Sequence, residues 1–262
     1  MFDNVVTRFG PGLNNETNAK GGSNGLLSDL YVPNRIGKVH EFSIDFDAPS
    51  YDATDWTQQL NAGTIALVAG DGGLLALTSA VSAITSQELN PANFQLAKGL
   101  RTWYKTVVSV DAVLGLTING LLNATATPFT AGSQTDGAFF LSDATGALSF
   151  VVAVGGVKTT VAVGASLVAG QFASLGWYYD GGCYAAAPLG RVVYEVTGPG
   201  VTATVRGEVA IPASGTIAAF PGAVNIGPVM GVSASTAVAR ILTVDYVYAA
   251  KDRDNINASP NF

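Results

Sequence analysis

The stretch that decides the fold is VHEFSIDFD, residues 39–47. Its apolar residues Phe42, Ile44 and Phe46 recur at every second position, which places them on one face of an extended chain. The polar residues between them mark the other face or the ends of the segment. This alternation predicts a β-strand with one face buried against a core.

Similar short segments recur along the rest of the chain, separated by turns rich in Gly and Asp. The clearest turn is Gly155-Gly156, which predicts a hairpin over residues 149–163. Residues 79–98 are the least regular and predict a loop or a short helix. Thirteen strands with few helical windows predict an all-β protein built as two stacked antiparallel sheets. After the first strand they are 64–69, 74–78, 101–110, 114–118, 138–141, 148–154, 157–163, 173–180, 191–196, 201–209, 229–233 and 238–249.

Composition narrows the range of functions. Only 12% of the residues are charged, the net charge is −6, and the Lys and Arg residues are scattered singly. A nucleic-acid partner is therefore not expected, because such surfaces need clustered cations. The apolar stretches are broken every few residues and the first residues do not resemble a secretion signal, so we expect no membrane partner and synthesis in a cytoplasm.

The chain divides by composition into three parts: residues 1–37, 38–250 and 251–262. Residues 1–37 are rich in Asn and Gly and have isolated apolar residues rather than an apolar face. Such a segment orders itself only on another surface. We therefore expect an extended N-terminal arm that contacts a partner protein, followed by a sandwich domain and a polar tail. The expected contact residues are Phe2, Val5, Phe9, Leu13, Leu26, Leu27 and Tyr31.

Catalytic and metal-binding signals are weak. His40 is the only histidine and Cys183 the only cysteine, so neither a structural zinc site nor a cysteine–histidine pair is expected. Calcium needs only oxygen ligands, and four aspartates are weak candidates for it, although a solvated loop is the favoured interpretation. These candidates are Asp45, Asp47, Asp52 and Asp55. No cofactor is expected.

Carbohydrate chemistry is the remaining alternative. Glu41 and Asp45 have the spacing of two carboxylates on one face of a strand, which a glycosidase requires, but we expect both Asp45 and Asp47 to face solvent. In the run Trp177-Tyr178-Tyr179, neighbours point to opposite faces, so only Trp177 and Tyr179 share one. Core packing is the favoured interpretation of these aromatic residues. The sequence therefore predicts a protein that is not an enzyme.

Four stretches taken in order resemble the concanavalin A-like (laminin G-like) jelly-roll proteins found among the virion components of tailed bacteriophages. They are residues 40–47 with Trp56 and Thr57 following, GDGGLL at 70–75, WYYDG at 177–181 and the closing strand LTVDYVYAAK at 242–251. The resemblance implies a jelly-roll sandwich over residues 38–250, in which the final strand returns beside the first.

The resemblance and the arm together favour one function. The expected role is a bacteriophage capsid decoration (cement) protein, located in the virion, that binds the assembled shell through its arm and sandwich surface as a homo-oligomer. Fold alone does not fix function. The alternative is a carbohydrate-binding, lectin-like module for host-surface attachment, which would use the region of Asp45 to Asp55 or exposed aromatic residues.

Overall fold

The computed structural model describes most of the chain from Val39 to Asp252. The described residues are 39–46, 56–70, 73–81, 84–89, 94–97, 100–113, 115–123, 127–130, 132–181, 190–211, 224–234 and 238–252. The arm predicted for residues 1–37, including all seven of its expected contact residues, lies outside these ranges. So do Asp47, Asp52, Asp55 and Cys183.

The described residues form fifteen β-strands, and no helix able to cross a membrane is found among them. The strands are β1 (Val39–Asp45), β2 (Trp56–Gln59), β3 (Thr64–Val68), β4 (Leu74–Thr78), β5 (Ile84–Leu89), β6 (Arg101–Val110), β7 (Gly115–Asn123), β8 (Gly137–Ser142), β9 (Ala147–Val154), β10 (Val157–Ser166), β11 (Ala173–Asp180), β12 (Arg191–Thr197), β13 (Val205–Ala210), β14 (Ile226–Ala234) and β15 (Ile241–Asp252). The predicted all-β architecture is confirmed.

The strands form two antiparallel sheets. Sheet A has the order β13-β12-β11-β6-β15-β4-β3, and sheet B has the order β10-β9-β8-β7-β14-β5-β2. Strand β15 organises sheet A, because one of its edges pairs with β6 while β4 and β1 pair with successive parts of the other edge. The final strand therefore lies beside the first, as the resemblance implied.

The main core lies between the two sheets and is made by alternate residues of each strand. From sheet A it receives Tyr104, Trp177 and Tyr194, and from sheet B it receives Phe140 and Phe150. Phe150 and Tyr194 pack with their ring centroids 5.0 Å apart, which joins one sheet to the other. Each of these rings stabilises the fold by about 1.5–3 kcal/mol through burial.

Two details of the sequence prediction are confirmed and one is wrong. Phe42, Ile44 and Phe46 all face the core, and Val154 pairs with Val157 across the predicted hairpin. The loop or helix predicted for residues 79–98 is wrong, because residues 84–89 form strand β5. This segment has weak alternation of its own, but β14 and β2 pair with its two edges, and pairing of this kind overrides local preference.

Candidate functional site

The outward face of sheet A carries a second apolar cluster, separate from the core between the sheets. We call it the aromatic cluster and define it as Trp103, Tyr178, Tyr246, Tyr248 and Ala250, with Val107 packed beside them. The rings of Trp103 and Tyr178 lie on neighbouring strands with their centroids 5.4 Å apart. The cluster therefore spans the three adjacent strands β11, β6 and β15.

A β-bulge in β15 brings two tyrosines into this cluster. Leu242 and Val244 face the core, and the register with β6 then shifts by one residue at Asp245. After the shift, Val247 and Ala249 face the core, while Tyr246 and Tyr248 face outward. An extra residue in one strand reverses its alternation in this way. The bulge thus builds half of the aromatic cluster.

An ion pair closes one end of the cluster. The Arg101 Nε donates a hydrogen bond to Asp252 Oδ2 at 2.9 Å, and the guanidinium carbon lies 5.1 Å from the centroid of the Trp103 ring. The two charged side chains are only 12% and 3% exposed. Such a cation over an aromatic ring is attracted by the negative face of the ring. The pair therefore ties the last strand to both β6 and the cluster.

Charged side chains flank Tyr178 on one side, in a row across four strands. Lys105 pairs with Gly176, Gly176 pairs with Glu195, and Glu195 pairs with Arg206. Burial lowers the pKa of Lys105 to about 8, against the attraction of Glu195, which raises it. Burial likewise raises the pKa of Glu195, while Arg206 and Lys105 lower it. The carboxylate thus lies between two cations.

A second charged row flanks Tyr178 on the other side. Asp180 pairs with Arg191 across β11 and β12, with 3.9 Å between Arg191 Nε and Asp180 Oδ2. The Arg191 Nη1 donates to Glu208 Oε2 at 3.2 Å. Tyr178, which is half-buried, lies two residues from Gly176 and two from Asp180 on the same face of β11. We call Tyr178 with Lys105, Glu195, Asp180 and Arg191 the Tyr178 site.

The outward face of sheet B is different in character. Ile118, Phe139 and Val229 are buried there, and Phe129 from the 127–130 segment packs against them. None of the residues of β7, β8, β9 and β14 is a carboxylate. Among the described strands, β7, β8, β9 and β14 therefore offer no carboxylate to a ligand, whereas β11 and β12 of sheet A offer Asp180 and Glu195.

Most of the Tyr178 site was not found from the sequence. The sequence correctly placed Trp177 and Tyr179 in the core and Tyr178 on the opposite face.

Asp45 is exposed on the outward face of β1, as expected, and pairs with Tyr246. In the described part of the chain, no group of three or more His, Cys, Asp or Glu side chains could hold a metal ion. His40 lies with its ring 5.0 Å from that of Phe94, on the core side of β1.

The chain is similar to known proteins in its structure but matches none in the sequence comparisons. No protein-family model and no curated sequence matches the chain. Lectin II from Ulex europaeus has 16% identity and a TM-score of 0.55, with 81% of this chain and 98% of that chain covered.

Two further solved structures are similar to this chain. Lectin I from Ulex europaeus, in complex with the methyl glycoside of α-L-fucose, has 11% identity and a TM-score of 0.54 over 82% of this chain and 99% of that chain. An endo-1,3-β-glucanase from Streptomyces sioyaensis has 12% identity and a TM-score of 0.54 over 83% of this chain and 98% of that chain. At these identities the likeness shows the fold alone: the chain has the concanavalin A-like jelly-roll fold of legume lectins.

Proposed function

We propose that the protein is a non-catalytic carbohydrate-binding module and that sugars bind at the Tyr178 site. The single observation that carries the proposal is a half-buried aromatic ring between two rows of charged side chains on an outward sheet face. Binding sites for small ligands typically combine an apolar platform with a few convergent polar groups. The structural likeness to lectins, one of them in complex with a fucose glycoside, supports the same conclusion.

Each part of the site has a role in sugar recognition. The ring of Tyr178 offers an apolar surface for the C–H face of a sugar ring. The carboxylates of Asp180 and Glu195 accept hydrogen bonds from sugar hydroxyls, while Arg191 and Lys105 donate to hydroxyl oxygens. Hydrogen bonds to ionised groups are about twice as strong as neutral ones. The side chains are held by strands rather than by loops, so the site is rigid before the ligand arrives.

The spacing of the carboxylates favours binding over hydrolysis. Asp180 and Glu195 lie on adjacent strands, but Glu195 is paired with Gly176, four residues before Asp180. At 3.4 Å per residue this separates their Cα atoms by about 14 Å along the strands. Glycosidases hold their two carboxyl groups about 5–9.5 Å apart. The backbone spacing of these two carboxylates therefore supports binding more than hydrolysis.

Binding of the full chain to a glycan array, followed by titration calorimetry with the strongest ligand, tests the proposal. We expect Tyr178→Ala to weaken binding at least about tenfold, equivalent to about 1.4 kcal/mol, because the stacking surface is lost. Tyr178→Phe, which keeps the ring, should bind within about threefold of the wild type, less than 1 kcal/mol.

Phe172→Ala is the matched control, because this ring is 37% exposed and lies in the segment before β11, outside the Tyr178 site. It should leave affinity unchanged. An array with no hits, or equal affinity of the wild type and Tyr178→Ala, would contradict the proposal. Measurements with calcium and with a chelator test the weak calcium candidates at the same time.

Capsid decoration is less well supported by these findings than carbohydrate binding. The likeness to lectins favours the alternative drawn from the sequence, and the arm that motivated the capsid hypothesis lies outside the described residues. A virion location, a capsid partner and a homo-oligomer stay predictions. Co-sedimentation of the purified chain with capsids and its mass in solution test them.

A further inference from the structure

Among the described strands, five lie at the edges of the two sheets, namely β1, β2, β3, β10 and β13. An edge strand can pair with a strand of another molecule, and natural proteins prevent this with charged side chains, bulges or very short strands. Strand β10 has Lys158 and an irregular register after Ala162, and β13 has Arg206 and Glu208. Strand β1 has the exposed Asp45, and β2 has only four residues, three of them polar. Four of the five edges are therefore protected.

Strand β3 has none of these protective features. Its sequence, TIALV, contains no charged residue and no proline, and its register with β4 is regular. Four of its five residues are exposed, among them Leu67 at 38% and Val68 at 40%. Among the described strands β3 pairs only with β4, so the backbone N–H and C=O groups of its other edge face solvent. This edge of the described sandwich is therefore open to another strand.

The surface beside β3 is also uncharged and partly apolar. Strand β4 contains no charged residue. Ile241, at the start of β15, is 36% exposed and pairs with Thr78, which pairs in turn with Thr64 of β3. Leu60, in the turn before β3, is exposed as well. Exposed apolar surface that is concentrated in this way is typical of a protein–protein interface.

The composition of β3 favours a second copy of the same chain as the partner. In a two-fold dimer, a strand that pairs with its own copy places the residue on the axis opposite itself. A charged residue there would face a like charge, which destabilises the pair. Neither β3 nor β4 has a charge that would cause this repulsion. Pairing of β3 with β3 also leaves only protected edges among the described strands, so the assembly closes at two copies.

We propose that two copies of the chain form a dimer by antiparallel pairing of their β3 strands about a two-fold axis at Ala66. This register pairs all five residues of the strand: Ala66 faces its own copy, Ile65 faces Leu67, and Thr64 faces Val68. It joins the two A sheets into one and forms roughly four to six backbone hydrogen bonds. Ile65 already packs against the core. Its contact with Leu67 of the partner subunit therefore extends the apolar core to the interface.

The dimer leaves the Tyr178 site uncovered. Tyr178 is in β11, four strands away from β3 in sheet A. The two-fold axis of an antiparallel strand pair is perpendicular to the sheet, so the two Tyr178 rings lie on the same side, nine strand spacings or about 43 Å apart. A surface that displays many glycans would engage both sites of one dimer. This last consequence rests on the proposed function, whereas the dimer itself does not.

Sedimentation velocity of the full-length chain without sugar tests the dimer, and its result does not depend on whether the chain binds sugar. An interface built on one short strand pair is small, so the wild type should change from monomer to dimer between about 1 and 200 μM. We expect Ala66→Lys to weaken dimerisation at least about tenfold, because two lysines would face each other across the axis. The Ala66 side chain is exposed, so the variant keeps the fold of the monomer.

Ala162→Lys is the matched control, because Ala162 is an exposed alanine of the edge strand β10 in sheet B. It should leave dimerisation unchanged. Circular dichroism and urea unfolding check that both lysine variants are folded. A wild-type chain that stays monomeric over the whole concentration range would overturn the proposal. Equal dimerisation of the wild type and Ala66→Lys would overturn it too, because another surface would then form the dimer.

Disulfide crosslinking tests the register without the lysine variants. In a Cys183→Ser background, Ala66→Cys should crosslink to its own copy on mild oxidation, because directly opposite Cα atoms lie about 4.5–5.5 Å apart. Thr64→Cys is the control, because its two copies would lie four residues or about 14 Å apart along the strands. It should stay uncrosslinked. Equal crosslinking of the two variants, or crosslinking of neither, would contradict pairing about Ala66.

Discussion

Replacing Gly137 by alanine is expected to destabilise the protein by about 4 kcal/mol. Gly137 has a φ of +148° at the start of β8, a conformation that residues with a Cβ rarely adopt. A Cβ atom there would collide with the Leu121 carbonyl oxygen and lie 2.9 Å from the Leu122 Cα. Backbone strain of this kind contributes about 1–3 kcal/mol, and overpacking against fixed atoms contributes about 1–3 kcal/mol more.

The reason that the collision is not relieved lies in the register. Gly137 pairs with Leu122 on one side and with Ala153 on the other, so β8 is held between β7 and β9. Moving β8 away from Leu121 would break its backbone hydrogen bonds with β7 or β9. Urea unfolding measures the effect as a lower midpoint with an unchanged slope.

Gly132→Ala is the control, because a Cβ at Gly132 would meet no atom within 4 Å. Its stability should stay within about 0.5 kcal/mol of the wild type. Equal midpoints for the two variants would show that β7 and β8 separate without loss of stability, contrary to the packing described above.

Replacing Lys105 by methionine is expected to raise stability by about 2 kcal/mol at pH 7. Burial lowers the pKa of Lys105 from 10.5 to about 8. A pKa difference of this size means that folding disfavours the charged form of the lysine by about 3 kcal/mol relative to its neutral form. Part of this gain in stability is lost, because the Glu195 carboxylate loses the attraction of Lys105 and keeps that of Arg206.

The advantage of the methionine variant should depend on pH in a defined direction. Below pH 8 the lysine is charged in both the folded and the unfolded chain, so the penalty is fully present. Between pH 8 and 10.5 the unfolded chain binds more protons at this residue than the folded chain, so the wild type gains stability as the pH rises. The difference between wild type and variant should therefore shrink over this interval.

Thermal and urea unfolding of both proteins at matched pH values from 7 to 9.5 measure this difference. Lys158→Met serves as the control. The Lys158 Nζ donates to Gln134 Oε1 at 2.7 Å and the side chain is largely solvated, so its replacement should bring no comparable stabilisation. A Lys105→Met variant less stable than the wild type at pH 7 would contradict this prediction and mean that the attraction of Glu195 outweighs the cost of burying the lysine.

Strand positions were largely predictable from the sequence, but the outward face of sheet A was not. Alternation placed Phe42, Ile44 and Phe46 correctly, because burial of one face imposes a period of two. The same rule fails in β15, where the bulge at Asp245 separates Tyr246 and Tyr248 from Leu242 and Val244. A bulge is a property of the pairing between two strands, so one strand alone does not reveal it.

The Tyr178 site was hidden for a similar reason. Lys105 and Glu195 are ninety residues apart in the sequence, and only the registers of β6 with β11 and of β11 with β12 place them on either side of Gly176. Single charges in separate strands have no recognisable spacing. The position of Lys105 beside Glu195 can be recognised only once β6, β11 and β12 are aligned.

The position of β15 has a consequence for biosynthesis. Of the described strands, β15 leaves the ribosome last, and it separates β6 from β4 in the middle of sheet A and also holds β1. Until β15 is synthesised, β6 and β4 have no strand between them, and the edges that they present to β15 stay unpaired. Folding dominated by such distant pairings is slow. A chain stalled before Ile241 should therefore be a substrate for chaperones or proteases, and the native sandwich should form only after β15 has been synthesised.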